Sequence, residues 1–319
     1  MKKTALFLAA ACMFCAGVFA QKNGVASKPA VVPAPAARAV TLTTSDGWTL
    51  ASVFRPPQDD KHMLVFLHSH KEDSAIWKTL AARAEAQGYG TFLIDFRGHG
   101  GSTAGPGGTT LTHTSFDRDI AGPDNNYNKM TEDVNAALKF LSAEGIDENR
   151  VVLVGAGLGA NIAIKSAAAH PDIFGMALFT PTLNANRGVL TVNPLRGYGR
   201  RPAFVAASVE NSRLYQEVSV LRAILYHSAG AENVTFVTEK KGDSAELITP
   251  AVTSTFLLWL NYPSMPAPVA YRPPGSEDEN AAETEEDAVP AEDTVSDNPD
   301  DHGTPVEEGF GDESDTSTE

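Results

Sequence analysis

The sequence predicts an α/β domain: a mostly parallel sheet of eight strands with helices on both faces. Three observations carry that expectation. Short apolar strand-like runs alternate with segments of helical periodicity through the middle of the chain. A hairpin signal opens the series. The stretch VVLVGAGLGAN, Val151 to Asn161, then runs an apolar strand straight into a glycine-rich turn that opens a helix.

Val40–Thr44 and Trp48–Phe54 alternate in strand fashion around Ser45-Asp46-Gly47, which reads as a hairpin. MLVFLH (Met63–His68) is a buried strand, and Ser74–Gln87 a helix closed by Gly88. TFLID (Thr91–Asp95) is a strand that leads into a glycine-laden loop. Met130, Val134, Ala137, Leu138 and Leu141 recur at helical spacing. VVLVG (Val151–Gly155) is the next strand; its helix covers Ala160–Ala169 and ends at His170-Pro171. Gly175–Thr180, Ala203–Ser208 and Asn233–Thr238 complete the strands. Leu214, Val218, Leu221 and Leu225 mark one late helix face, and Ile248, Val252, Phe256 and Trp259 another. Continuous apolar strands of this kind belong to a parallel sheet covered on both sides.

The domain spans residues 39–262, between segments of different character. Residues 1–20 (MKKTALFLAAACMFCAGVFA) have two lysines, an apolar run and Val18-Phe19-Ala20 as a cleavage site, the layout of a secretory signal peptide. The expectation is export to the periplasm or the exterior, with no stable membrane span. Lipidation at Cys12 is the alternative, and the apolar run past Cys12 to Ala20 counts against it. Both cysteines lie in this leader, so the mature chain has no disulfide, thiolate nucleophile or cysteine metal site. Residues 21–38 form a Pro/Ala linker.

Residues 263–319 form an acidic tail. From Tyr271 onward it holds 18 acidic residues and one arginine, whereas Gln21–Ala270 balances 22 against 22. The net charge of −15 therefore belongs to the tail. Its composition predicts disorder, with cations or a basic partner as what it could bind. The balanced domain gives no reason to expect nucleic acid.

Two machines use a strand–glycine turn–helix junction: a dinucleotide site and a nucleophile elbow. Gly155, Gly157 and Ala160 satisfy G-x-G-x-x-[GA]. A dinucleotide site also needs an acidic residue ending the next strand, and GMALFTPTL has none. No cofactor is expected. Four segments instead resemble the α/β-hydrolase superfamily, in its serine-hydrolase and dienelactone-hydrolase-like branch: VFLHSHKEDSAIWKTLA, GYGTFLIDFRGHGGS, MTEDVNAALKFL and VVLVGAGLGANIAIKSAAAHP. In the family the second usually reads D-x-R-G-H-G-x-S, and Asp95–Ser102 is DFRGHGGS. The resemblance covers about residues 39–262 and implies the α/β-hydrolase fold. Leu183–Arg201 stands where relatives insert a lid, so a minimal or open lid is implied.

The resemblance also implies a catalytic triad, and the positions that would hold it are degenerate. The family's elbow is G-x-S-x-G; here it is Gly155-Ala156-Gly157-Leu158-Gly159, with Gly157 in the serine's place. Glycine keeps the turn, which needs φ above zero, and deletes the hydroxyl. The family's acid maps to Asn211, with Glu210 one step off. Its histidine maps to Asp243 in the loop after the last strand. After Gly157 the only histidines are His170, His227 and His302, none in that loop. Without an imidazole, no neutral base takes a proton from a nucleophile near pH 7. Backbone N–H groups of Leu158 and Ser69 are implied to survive as an oxyanion pocket, where a small acyl or carbonyl ligand would sit above Gly157.

Other constellations compete with structural roles. Ser69 with His70 as base is the fallback nucleophile, and His68, His70 and His99 are a conceivable metal set. Yet the family commonly has His-Gly where His68-Ser69 stands, and HSHKED misses the H-x-H-x-D spacing; no metal is expected. The basic cluster Arg196, Arg200, Arg201 could dock an anion. The function expected is that of an exported pseudo-hydrolase acting by binding. The alternatives are an active hydrolase of esters, amides or peptides built on Ser69 and His70, with Glu210 or Asp243, and a structural or interaction module of the cell envelope.

Overall fold

The computed structural model describes residues 35–117, 122–186 and 188–263. The chain divides into two units, Met1–Pro268 and Val269–Glu319, and every described residue lies in the first. The signal peptide, most of the linker and the acidic tail expected from the sequence lie outside the described residues.

Strands β1 (Arg38–Thr43) and β2 (Thr49–Arg55) form the hairpin expected around Gly47. The other strands of the main sheet are β3 (Met63–Leu67), β4 (Gly90–Ile94), β5 (Val151–Ala156), β6 (Gly175–Phe179), β9 (Ala203–Ser208) and β10 (Val234–Glu239). Their order is β1-β2-β4-β3-β5-β6-β9-β10. β2 meets β4 antiparallel, and every pair from β4 to β10 is parallel. The strand order reverses between β4-β3 and β5-β6, so the loops after β3 and β5 open side by side at the carboxyl edge, the usual place of a ligand site.

Among the described residues five helices cover the sheet: α1 (Lys78–Glu85), α2 (Thr131–Ala143), α3 (Leu158–Ala169), α5 (Ser212–Ala229) and α6 (Pro250–Asn261). Side chains along β3 alternate between two cores. Val65 and Leu67 join α2, α3 and α5 on one face; Leu64 and Phe66 join α1 and α6 on the other. Ser74–Gln87, expected as one helix, instead begins with a 3-10 turn over Ser74–Trp77. Asp73 caps this turn by accepting from Ala75 N, and Ser74 N donates to Asp95 Oδ1 at 2.9 Å. The tighter turn serves the loop after β4.

The short lid region holds a hairpin of β7 (Asn184–Ala185) and β8 (Val189–Leu190), followed by α4 (Val192–Arg196). Val189, Leu195 and Tyr198 are buried against the main core. Asn161 of α3 fastens the region through Val189 O and Thr182. The basic cluster is partly engaged internally. Arg201 donates to the carbonyls of Ala167, His170 and Ile173, closing the end of α3, and Arg200 pairs with Glu232. Among the described residues, no helix is long and apolar enough to cross a membrane.

The DFRGHGGS loop is a brace. Arg97, fully buried, donates its backbone N–H and its guanidinium to Asp133 on α2 and reaches Asp46 of the β1–β2 turn. Burial pushes the Asp133 carboxyl up to about 6, and Arg97 pulls against that, so the pair is charged at neutral pH. Asp95 accepts from Ser74 N and Gly101 N; Ser102 Oγ donates to Asp95 O and accepts from Ala51 N.

Candidate functional site

β5 delivers the chain into Gly157, at φ 51° and ψ −114°, and α3 starts on the next residue. Gly157 N donates to Phe179 O on β6, and Gly157 O accepts from Ala160 N and Asn161 N. The junction is tight. A Cβ on Gly159 would overlap Leu67 O and come within 2.6 Å of His68 O, so α3 can cross β3 this closely only with glycine there. The arrangement is a sharp strand–turn–helix elbow with glycine at its centre.

Two hydroxyls crowd the place of the missing side chain. A Cβ built on Gly157 would overlap Ser69 Oγ and lie 3.0 Å from Ser244 Oγ. Ser69 follows β3, and its hydroxyl has no hydrogen-bond partner among the described residues. Ser244 comes from the loop after β10, at φ 50°, with its Oγ buried and unpartnered among the described residues. Ser244 N donates to Thr180 Oγ1 at 2.9 Å. Thr180, buried at the end of β6, has φ 52°, a strained conformation for a β-branched residue. This contact ties the terminal loop to the elbow.

The positions mapped from the triad fall as follows. Asn211 is exposed and caps α5, accepting from Leu214 N at 3.2 Å. Glu210 reaches the terminal loop, where Oε2 accepts from Gly242 N at 3.3 Å. Asp243 precedes a 3-10 turn over Ser244–Leu247 and makes no capping bond. The residue of that loop nearest the elbow is Ser244. Sequence reasoning missed Ser244 and Thr180, because left-handed backbone at non-glycine residues leaves no compositional mark.

The histidines around Ser69 are held by their own contacts. His68 is fully buried; its Nδ1 donates to Ser69 O at 2.8 Å and its Nε2 accepts from Phe96 N at 2.9 Å, fixing one neutral tautomer. Burial pushes its pKa down. His70 packs its ring 5.5 Å from His113 and 5.1 Å from Tyr127, and His99 stacks on His113 at 4.4 Å. Among the described residues no three His, Cys, Asp or Glu side chains are placed to hold a metal ion. His170 sits at the far end of α3, bonded to Glu148 and Asn135.

Backbone donors remain. Leu158, the first residue of α3, presents an N–H at a helix start, where intrahelical acceptors are lacking. The Ser69 N–H is turned toward the Glu72 carboxyl. Burial raises the pKa of Glu72, with repulsion from Asp243, Asp73 and Glu246 adding to it; the Ser69 N–H works the other way.

The His99 ring supplies a pH prediction. Burial and the neighbouring imidazoles, His68 foremost, push its pKa from 6.5 down to about 3. Between those values the unfolded chain binds a proton that the folded chain refuses. The stability from neutral His99 is complete above pH 6.5 and lost as pH falls toward 3. The loss approaches about 1.4 kcal/mol per pH unit. Urea unfolding at pH 7, 6 and 5 will show a shallower pH slope for His99→Gln than for the parent; equal slopes would refute a neutral buried ring.

Comparison with known proteins agrees with this geometry. The family described as serine aminopeptidase, S33, matches residues 58–225. No curated protein matches the chain in sequence. An esterase of Pyrococcus furiosus superposes with a TM-score of 0.57 at 17% identity, covering 72% of this chain and 92% of its own. A dienelactone hydrolase of Anabaena variabilis superposes at 0.54 with 14% identity, covering 72% and 99%. The α/β hydrolase GrgF of Penicillium gives 0.56 at 13% identity, covering 72% and 99%. At these identities the likeness is one of fold. With more than half its length matched and the strand order and elbow in place, the chain belongs to the serine aminopeptidase S33 family of α/β-hydrolases.

Proposed function

We propose that this protein is an exported pseudo-hydrolase: a hydrolase fold that binds an acyl or carbonyl ligand at its elbow and does not turn it over. One observation carries the reading. The place of the attacking side chain is taken by the Ser69 hydroxyl, which no imidazole engages among the described residues. A hydroxyl keeps its proton near pH 7 unless a base removes it, and the terminal loop, with Lys240, Lys241, Asp243 and Ser244, offers no imidazole. The Leu158 N–H supplies the polar side of the pocket, while the Ser69 N–H is engaged by Glu72. The acidic tail adds a second binding element, for cations or a basic partner.

A second reading rests on the same hydroxyl. Ser69 Oγ lies where the family's serine would begin, so a hydrolase of esters, amides or peptides with the nucleophile moved to the loop after β3 is its active counterpart. Activated esters and a fluorophosphonate probe decide between them. The expected result is no labelling, and ester turnover no higher than the 10³–10⁴-fold over water that roughly remains when a triad is lost. Labelling or turnover that disappears in Ser69→Ala establishes the second reading and ends the first.

A further inference from the structure

Beside the elbow, a cavity of about 540 Å³ opens between the loops after β3 and β4, within the size range of small-molecule sites. Its lining includes Glu72, Asp73, Thr103, Thr112, His99 and His113, with the exposed Lys71 at its margin. Gly157 is not in the lining.

Two buried acceptors on this lining have no partner among the described residues: Glu72 Oε2 and His99 Nε2. His99 is 2% exposed, and its Nδ1 donates to Arg97 O at 2.9 Å, so Nε2 carries a bare lone pair. No buried side-chain donor on the lining is left unpartnered among the described residues. Buried polar groups are normally satisfied, so what the cavity lacks is a donor.

We propose that this cavity binds a ligand bearing a primary ammonium group, with the Glu72 carboxylate and His99 Nε2 as its acceptors. The sign of the charge follows from the surroundings. Glu72 has Asp73, Asp243 and Glu246 as carboxylate neighbours, and their mutual repulsion is relieved by a cation and left in place by an alcohol. The cationic side chain on the lining is Lys71, on the exposed margin, and the His113 ring stacks on His99. A metal ion suits the site less well. The His99 and His113 rings lie nearly parallel, 12° apart, which sets their nitrogens side by side instead of at one point. An ammonium carries three rotatable donors and needs no fixed coordination geometry. Neither Gly157 nor Ser69 lines the cavity, so the inference stands apart from the proposed lack of turnover.

Calorimetric titration of the full chain at pH 7.5 tests it, with n-pentylammonium chloride, n-pentanol, sodium pentanoate and zinc chloride as probes. Pentylammonium is expected to saturate one site about tenfold more tightly than pentanol, as charge-assisted hydrogen bonds require, and Glu72→Gln to remove that advantage. In the unsubstituted protein, the imidazole nitrogen signals of His99 are expected to shift on pentylammonium binding, a readout that does not depend on any variant folding. Equal binding of pentanol and pentylammonium, no saturation, an unmoved His99, or zinc binding through His99 in preference to the amine each overturn the proposal. Ester turnover in a chain that still binds pentylammonium would end the pseudo-hydrolase reading and leave this site standing.

Discussion

Gly157→Ser will not create an esterase, and it will destabilise the protein by on the order of 1–3 kcal/mol, the usual cost of a non-glycine residue at such a backbone position. The φ of 51° with ψ −114° is one part of the cost. The other is contact: the new Cβ overlaps Ser69 Oγ and comes within 3.0 Å of Ser244 Oγ. The α/β-hydrolase pattern that the sequence resembles implies glycine where Ser69 stands and serine where Gly157 stands, so this chain holds those two residue types exchanged. Gly157→Ser with Ser69→Gly will therefore recover part of the loss. The expected coupling is about 0.5–3 kcal/mol, read from urea midpoints of the two single variants and the double. The double variant will remain inactive toward p-nitrophenyl esters, because the loop after β10 offers the new hydroxyl no imidazole. Additive effects would mean that Ser69 does not compete for the elbow; ester turnover would mean that a base has been overlooked.

Asp133→Ala is expected to cost more, about 3–5 kcal/mol, the range for stranding one member of a buried ion pair. Asp133 and Arg97 are both fully buried, and three donors of Arg97, its backbone N–H among them, end on this one carboxylate. Removing it leaves a guanidinium whose remaining ion-pair partner among the described residues is Asp46, with a side chain 35% exposed. Asp46→Ala takes the partly solvated partner and is expected to cost distinctly less. Chemical denaturation of the two variants checks the order. A loss under 1 kcal/mol in Asp133→Ala would show that water enters to solvate Arg97. The pair matters to the site because Arg97 anchors the loop that carries His99 to the cavity.

The fold was legible because its causes are local and repeated. Continuous apolar runs such as MLVFLH and VVLVG have to be covered on both faces, and the segments between them have helical periodicity. The elbow was legible for the same reason: a strand, a turn and a helix leave their marks on consecutive residues. The 3-10 turn over Ser74–Trp77 was not, since it depends on Asp95, 21 residues further along, accepting from Ser74 N. Glu72 escaped notice as well. A glutamate in a polar loop looks solvated until the loops after β4 and β10 close around it.

By itself, the sequence determined that the chain folds as an α/β-hydrolase and that its elbow and terminal loop lack the serine and the histidine. Those are matters of residue type at positions set by local periodicity. Only the tertiary structure decided what took their place. Ser69, Thr180 and Ser244 come from three separate loops, and they meet at Gly157 because parallel strands bring their carboxyl ends to one edge. The same convergence puts Glu72 and His99 on one cavity, since sites built from distant segments owe their geometry to packing.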